Sequence, residues 1–239
     1  MKTIKLLVVL PMMMLMATGC VVNIQDSIRG DGRVVSQTRD VQEFSGIKVG
    51  SGIDVFLTQG ETQSVIVEAD ENLQEWIRTE VNGSVLHIYT DKNIRLAKTK
   101  KVSIICKTID KIEVSSAGDV TGLSPFKTDK LDIDMSSAGD LKFEVEANEI
   151  AISISSAGNV NLKGKTQTLK ADLSSAGDLN AYDLEAKVGD VSVSSAGSAK
   201  VFVTEEASFH SSSAGDIDYK GEPRIKEIQT SSAGSVNKK

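Results

Sequence analysis

The tetrapeptide Ser-Ser-Ala-Gly occurs seven times in this chain, and successive copies are 18 to 21 residues apart. A near-constant period of about 20 residues is typical of repeat proteins, in which each unit buries its apolar face only against its neighbours. The repeat therefore constrains the fold more than any other feature. The glycines of the motif are Gly118, Gly139, Gly158, Gly177, Gly197, Gly215 and Gly234.

Alternating apolar and polar residues flank the motif. Ile152-Ser153-Ile154 precedes one copy and Val160-Asn161-Leu162 follows it. Apolar residues at every second position indicate a strand with one buried face. A helical solenoid is the alternative, but its repeats need about 33 residues or more and a 3.6-residue pattern, which is lacking here. We therefore predict an all-β fold in which each unit is one coil of a parallel β-helix.

The alternation, continued into the motif, gives its second serine an inward orientation. A buried hydroxyl without a partner costs about 1–3 kcal/mol. We therefore expect each of these serines to bond to the serine or backbone of the adjacent coil, as a polar ladder inside the corner. The following Ala-Gly is expected to form the corner, where glycine allows a positive φ. The predicted ladder consists of Ser116, Ser137, Ser156, Ser175, Ser195, Ser213 and Ser232.

A residue type that favours turns follows every motif glycine. Stacking would bring several carboxylates close together, and such a row could hold calcium. However, Asn159 and Ser198 interrupt the row, and the chain lacks a Gly-x-Asp calcium repeat. We therefore predict no metal site and expect each Asp to bond its own turn. The row consists of Asp119, Asp140, Asn159, Asp178, Ser198, Asp216 and Ser235.

Residues 1–19 have the features of a bacterial lipoprotein signal peptide. Lys2 and Lys5 give it a basic start, Leu6 to Met16 form an apolar run, and small residues precede Cys20. The apolar run is too short to span a bilayer and suits a secretory signal. We predict that Cys20 becomes the lipidated first residue and anchors the protein to a membrane. Ordinary secretion is the alternative.

The rest of the chain divides by its content of the motif. We predict a tether over residues 20–34 and one β-helix domain over residues 35–239. Residues 35–110 lack the motif but still contain strand patterns, so we expect an irregular cap and the first coils there, with Gly50-Ser51-Gly52 as a degenerate corner. Residues 111–239 hold the seven motif-bearing coils. A separate small β domain is the alternative for the first part, but no Pro-rich linker divides the two.

Composition weighs against several functions. The net charge is −6, and removal of Lys2 and Lys5 with the signal peptide makes it −8. An acidic chain without a basic stripe argues against a nucleic-acid partner. No repeat carries a base that could activate its serines, and His87 and His210 do not recur with the period. We therefore predict no catalytic residue and no cofactor, and we expect Cys106 to be a small buried residue.

Three features together resemble the family described as putative auto-transporter adhesin, head GIN domain. They are the stretches Val49 to Gly60 and Val67 to Leu73 and the repeated Ser-Ser-Ala-Gly-Asp, and the resemblance covers about residues 35–239. These proteins are common as lipoproteins of Bacteroidota. The resemblance implies a right-handed β-helix and a lipid anchor in the bacterial cell envelope, at the outer membrane. Val21-Val22-Asn23, rather than an acidic run, follows Cys20, which leaves the membrane leaflet open.

Three functions compete for such a protein. A regular polar flank suits an extended partner, such as a polysaccharide or a protein ligand, and favours a non-catalytic binding or adhesion module. The last coil is incomplete after Ser235, so a scaffold that self-associates end to end as a homo-oligomer ranks second, although Lys238 and Lys239 could blunt that edge. A carbohydrate-active enzyme ranks third. Such an enzyme needs clustered carboxylates and aromatic platforms for sugars, whereas this chain has one Trp and three Tyr and its acidic residues are spread along the repeat.

Overall fold

The computed structural model describes residues 27–239. Eighteen strands form one continuous sheet, and β1 and β8 form a separate two-stranded sheet. The strands are β1 Ser27–Arg29, β2 Val34–Arg39, β3 Gly46–Val49, β4 Asp54–Gln59, β5 Ser64–Asp70, β6 Ile77–Asn82, β7 Val85–Thr90, β8 Asn93–Leu96, β9 Lys100–Cys106, β10 Lys111–Val114, β11 Asp119–Gly122, β12 Phe126–Lys127, β13 Lys130–Met135, β14 Asp140–Ile154, β15 Asn159–Leu173, β16 Asp178–Val193, β17 Ser198–Ser211, β18 Asp216–Lys220, β19 Arg224–Thr230 and β20 Ser235–Lys238, and Glu71–Leu73 form a 3₁₀ turn.

The continuous sheet winds into stacked coils of about 19 residues, which confirms the predicted all-β helix. In the four central coils, one long strand runs from the residue after one motif to the residue before the next. Neighbouring long strands pair in parallel, so that Ile154 lies beside Leu173, and Leu173 beside Val193. One column of the stack contains nine strands, in the order β9, β4, β11, β14, β15, β16, β17, β18 and β20. Adjacent strands are about 4.8 Å apart, so this column spans about 40 Å.

The core fills the interior of the coils. Within the long strands β14 to β17 the buried residues recur at every second position, as Ile150, Ile152 and Ile154 show with exposures of 0–3%. The alternation slips by one residue between Ala147 and Ile150, which marks a second bend in the coil. Thr166 lies buried at this bend and donates its hydroxyl to the carbonyl oxygens of two residues nearby. No loop interrupts β14 to β17, because these strands continue through the bend.

The motif forms the first corner of each coil, but its second serine does not point inward. At Ser116 and Ala117 the φ angles are 58° and 55°, in the left-handed region. The same conformation recurs at the second serine of four later copies, from Ser175 onward, and it reverses the alternation so that the glycine faces the core. The predicted inward orientation is therefore wrong. The predicted bond to an adjacent coil does occur in two copies, where Ser156 donates its hydroxyl to the carbonyl oxygen of Ser136 at 2.9 Å and Ser137 Oγ accepts from the backbone N–H of Ala117 at 3.3 Å. The second serines are exposed or half-buried: Ser116, Ser137, Ser156, Ser175, Ser195, Ser213 and Ser232.

The motif glycines serve close packing rather than a positive φ. None of the seven has a φ in the left-handed region. A Cβ on Gly139 would lie 2.4 Å from the carbonyl oxygen of Gly118, and one on Gly234 would lie 2.5 Å from that of Ser211. Real Cβ atoms do not approach backbone oxygens this closely. At Gly139 and Gly234 the coils can therefore stack this closely only because these residues lack a side chain.

The first serine of each motif, rather than the second, forms the regular bond to the preceding coil. In all seven copies its backbone N–H donates to a carbonyl oxygen of the preceding coil, at 2.8–3.0 Å. In four copies the hydroxyl also donates to that oxygen, at longer distances of 3.3–3.5 Å. This backbone ladder runs along the corner and includes Ser115, Ser136, Ser155, Ser174, Ser194, Ser212 and Ser231.

An irregular set of strands covers the N-terminal end of the stack. Strand β9 pairs in parallel with β4 and antiparallel with β5, which pairs antiparallel with β2. The β6–β7 hairpin adds to the other side, where β7 pairs with β3. Asp54 lies in register with Asp119, and Ser51 and Gly52 have φ angles of 59° and 60°, so Gly50-Ser51-Gly52 is a corner as predicted. Cys106 is fully buried, which confirms its predicted position.

The predicted signal peptide, Cys20 and the start of the predicted tether lie outside the residues that the structure describes. Within residues 27–239, no helix has the length and apolar character needed to cross a membrane. Lipidation of Cys20 therefore stays a prediction.

Candidate ligand-binding face

The strands that follow the corners present a flat polar surface, which we call the post-corner face. Its first row contains the residues after each motif glycine, and its second row lies two residues further along each strand. Because the strands pair in register, both rows run straight along the stack. The first row is Asp54, Asp119, Asp140, Asn159, Asp178, Ser198, Asp216 and Ser235, and the second is Phe56, Thr121, Lys142, Asn161, Asn180, Lys200, Asp218 and Asn237.

Hydrogen bonds between coils order the side chains of this face. Asn159 donates its amide to Asp140 Oδ1 at 2.8 Å, and Asn180 donates to Asn161 Oδ1 at 3.2 Å. Asp119 accepts from the backbone N–H of Asp140 in the next coil at 3.1 Å. The expectation that each Asp bonds its own turn is therefore wrong at Asp119, because stacking offers a donor from the next coil. The result is a ladder of fixed donors and acceptors.

Two aromatic side chains lie beside this ladder, and sequence analysis missed them. Lys220 Nζ is 5.4 Å from the ring centroid of Tyr182 and 4.8 Å from that of Phe202. Both rings are half-buried at the surface. Burial first, and then the Asp218 carboxylate of the second row, raise the pKa of Tyr182. Tyr182, Phe202 and Lys220 are called the aromatic cluster below.

A local irregularity in the coils brings the aromatic cluster together. The register between β16 and β17 passes from Ala181 beside Val201 directly to Glu185 beside Phe202. The residues between Ala181 and Glu185 are thus extra in their coil, and Tyr182 is one of them. The signal in the sequence is the longer spacing of 20 residues between Gly177 and Gly197, followed by one of only 18.

A shallow groove runs along the centre of the post-corner face. Side chains of both rows line it on four neighbouring coils, including Asp140, Asn161, Asp178, Asn180 and Lys200. Amides, carboxylates and an ammonium group together offer both donors and acceptors to a ligand. No group of three His, Cys, Asp or Glu residues within the described range is placed to hold a metal ion.

The cap end of the post-corner face carries a charged pair in an unusual setting. Burial lowers the pKa of Lys100, whose ammonium donates to the carbonyl oxygen of Ser51 at 2.9 Å. Burial first, and then repulsion from Asp119, raise the pKa of the neighbouring Asp54. Lys100 therefore ties the degenerate corner to the cap and compensates part of the negative charge there.

A second groove lies on the other side of the corner, on the strands that precede it. Serine side chains from four coils line it together with Asp172 and His210. A serine nucleophile needs a base within hydrogen-bonding distance of its hydroxyl. His210 Nε2 instead faces the Glu227 carboxylate at 3.6 Å. His87, the other histidine, lies in the β6–β7 hairpin, far along the stack from His210.

Solved structures with the same fold come from related bacteria. A putative adhesin from Bacteroides fragilis NCTC 9343 has a TM-score of 0.80 and 24% identity, over 88% of this chain and 99% of that chain. A putative lipid binding protein from Parabacteroides distasonis ATCC 8503 has a TM-score of 0.73 and 21% identity, over 90% of this chain and 100% of that chain. A putative adhesin from the same organism has a TM-score of 0.72 and 23% identity, with the same coverage. At these identities the similarity shows the fold alone.

Comparison with curated proteins gives no significant match. The family described as putative auto-transporter adhesin, head GIN domain, matches residues 43–223. This match covers most of the chain, including the corner at Gly50-Ser51-Gly52 and six of the seven motif copies. The chain therefore belongs to the putative auto-transporter adhesin, head GIN domain family.

Proposed function

We propose that this protein is a non-catalytic binding module of the bacterial cell envelope, and that its post-corner face binds an extended polysaccharide. One observation carries the proposal: two straight rows of amide, carboxylate and ammonium groups run beside the aromatic cluster. Sugar hydroxyls both donate and accept hydrogen bonds, and Asn161 and Asn180 can do the same. The half-buried rings of Tyr182 and Phe202 offer apolar surface for the C–H faces of a sugar ring.

The repeat geometry also favours an extended ligand over a small one. The groove is shallow and continues from coil to coil, so it cannot enclose a small molecule as a typical ligand pocket does. A polymer can instead make the same modest contact on several coils, and the contacts add. The relatives described as adhesins agree with a binding role.

A binding assay on the soluble chain 21–239 tests this proposal. All core residues lie between Phe44 and Tyr219, and the solved relatives correspond to 88–90% of this chain, so this fragment contains the folded unit. The fragment is screened against envelope and host-matrix polysaccharides, and affinity for any hit is measured by calorimetry. Tyr182→Ala with Phe202→Ala should weaken binding at least about tenfold, or about 1.4 kcal/mol.

A matched control is Tyr89→Ala, which removes another half-buried ring, on the β6–β7 hairpin and away from the face. Asn161→Ala with Asn180→Ala should weaken binding as the aromatic change does, while melting temperatures stay close to that of the parent. If no polysaccharide binds, or if a bound one is unaffected by both double changes, the proposed face is wrong.

We also propose that Cys20 carries the lipid anchor of this module. The sequence pattern that supports this is the short apolar run followed directly by small residues and Cys20. Mass spectrometry of the membrane fraction should find the mature chain starting at an acylated Cys20. In Cys20→Ala the protein should leave the membrane fraction, and an unmodified Cys20 in the parent would refute the anchor.

A further inference from the structure

The C-terminal coil of the stack has one uncovered side. All seven residues of β19 are exposed. Among the described residues, β19 pairs with β17 alone and β20 with β18 alone, so each has an unpaired edge. An edge with free N–H and C=O groups is a template for pairing with another strand.

Apolar side chains in core positions lie beside this edge. Ile225 is in register with Ala207, and Ile228 with Phe209, and both of these partners are buried. A bulge in the register accommodates Lys226, which lets both isoleucines face the core although they are three residues apart. Yet Ile225 is 38% exposed and Ile228 is 46% exposed. Within residues 27–239, no further strand covers this layer of the core.

The charged side chains near the edge do not protect it. Lys238 pairs with Glu222, and Lys239 Nζ lies 3.2 Å from Asp218 Oδ1. Both lysines, which the sequence suggested as blunting charges, are thus engaged by their own chain. Arg224 and Lys226 likewise pair with Glu206 on the flank of β17. Edge strands that avoid pairing usually direct such charges across the edge.

We propose that the same coil of a second copy of this chain covers this side. Strand β19 would pair antiparallel with its counterpart, about a two-fold axis between Lys226 and Glu227. In that register Ile225 lies opposite Ile228 of the second copy, and Lys226 lies opposite its Glu227. This register thus places apolar side chains opposite each other and opposite charges opposite each other. Because the axis is two-fold, each of the two contacts occurs twice. This inference rests on β19 and not on the proposed polysaccharide function.

The two ends of the stack differ, and this limits the assembly. The cap strands β2 and β5 cover the N-terminal end, whereas β19 and β20 leave the other end open. An interface made twice from the same surface closes after two copies and does not continue as a filament. The inference therefore differs from an end-to-end scaffold. Ser27 lies at the cap end, in β1 beside β8, so the two N-terminal segments would leave the dimer at opposite ends.

Sedimentation equilibrium of the soluble chain 21–239 tests this interface. Measurements from about 1 µM to about 1 mM cover weak and moderate complexes. The parent should shift from one to two copies over this range. Lys226→Glu alone and Glu227→Lys alone should each raise the dissociation constant about tenfold, because each creates two like-charge contacts. The combined change K226E with E227K should restore most of the affinity, since the opposite charges face each other again.

Two controls separate the interface from general effects of charge and folding. Lys187→Glu makes the same change of charge on the flank, where Lys187 lies near Glu205, and should leave the dissociation constant unchanged. Ile228→Lys should abolish the dimer, while the circular dichroism spectrum stays that of a β-helix.

Three results would overturn the inference. The first is a parent that stays monomeric throughout the concentration range. The second is a dimer whose dissociation constant ignores all changes in β19. The third is a monomer that binds phosphatidylethanolamine vesicles and loses this binding in Ile228→Lys, because a lipid surface would then be the occupant of the open end.

Discussion

Gly139 packs directly against the carbonyl group of Gly118 in the preceding coil, and a Cβ on Gly139 would lie 2.4 Å from that oxygen. The same contact recurs along the corner, but its distance differs between coils. A Cβ on Gly197 would lie 3.2 Å from the nearest backbone oxygens, which is farther than at Gly139. The corner is therefore a place where two backbones approach closely, and its tolerance of a methyl group should vary from coil to coil.

Substitution of the motif glycines should reveal this gradient. Gly139→Ala should lower the free energy of unfolding by about 2–3 kcal/mol, because the added methyl group must push backbone apart. Gly197→Ala should cost less, about 1 kcal/mol, because its neighbours need to move only a few tenths of an ångström. Chemical denaturation of both variants measures this, and equal costs would show that the corner relaxes freely.

The alanines of the motif offer a prediction of opposite sign. Ala214 has a φ of 62°, a conformation that costs a non-glycine residue about 1–2 kcal/mol. Ala214→Gly should remove that strain and stabilise the protein by about 0.5 kcal/mol, after the greater freedom of glycine in the unfolded chain is subtracted. The degenerate corner already has Gly52 at the equivalent position, with a φ of 60°.

Ala138 is the matched control, because the corner at Gly139 does not place it in the left-handed region. Ala138→Gly should therefore destabilise the protein by about 0.5–1 kcal/mol, since only the effect on the unfolded chain remains. Thermal melts of the two variants should shift in opposite directions. A shift of the same sign in both would contradict the assigned corner geometry.

The repeat and its alternation were enough to predict the β-helix, the corners and the position of Cys106. The orientation of the serines was not predictable from alternation, because a pair of residues in the left-handed region, such as Ser116 and Ala117, changes the parity within the motif. L-residues seldom adopt this conformation, and only the requirements of coil stacking impose it here. A pattern of period two cannot signal where it is interrupted.

The aromatic cluster was missed for a related reason. Tyr182 and Phe202 are 20 residues apart and do not occupy a repeated position, so they look like isolated residues in the sequence. Both rings lie near the ammonium group of Lys220 because β16 contains extra residues between Ala181 and Glu185. Contacts between coils depend on the register, and one local insertion changes it. The sequence showed only the uneven spacing of Gly177 and Gly197.

A buried serine outside the predicted ladder provides a test of the corrected parity. Ser211 is 3% exposed and donates its hydroxyl to the carbonyl oxygen of Gly215 at 2.7 Å. Ser211→Ala should cost about 1 kcal/mol, the net value of such a bond. Ser213→Ala, two residues later, should change stability by less than about 0.5 kcal/mol, because Ser213 is exposed. The reverse order of costs would favour the original inward assignment of Ser213.

Cys106 should make stability fall at high pH. Burial raises the pKa of its thiol to about 11, from 9.0 for an unperturbed thiol. As the pH rises, the thiol therefore ionises in the unfolded chain before it ionises in the folded protein. The contribution of the neutral buried thiol to folding stability is present in full below about pH 9 and is lost as the pH rises through about 11. Over this window the difference in unfolding free energy between the parent and Cys106→Ala should shrink by about 1.4 kcal/mol per pH unit. A constant difference from pH 8 to pH 11 would show that the thiol is not buried.

Calcium should leave stability unchanged. In the first row of the post-corner face, the carboxylate of Asp140 accepts from the Asn159 amide at 2.8 Å, and that of Asp119 accepts from the Asp140 N–H at 3.1 Å. These oxygens would have to give up their donors to bind a cation, and Asn159 separates Asp140 from the next carboxylate of the row, Asp178.

Melting curves in excess chelator and in millimolar calcium should therefore coincide. A site filled at 100 times its dissociation constant would add about 2.7 kcal/mol to the unfolding free energy. In a domain of this size that would raise the melting temperature by several degrees. Such a rise, lost in the variant that combines Asp119→Asn with Asp140→Asn, would mean that the row binds calcium and that its hydrogen bonds exchange for the metal.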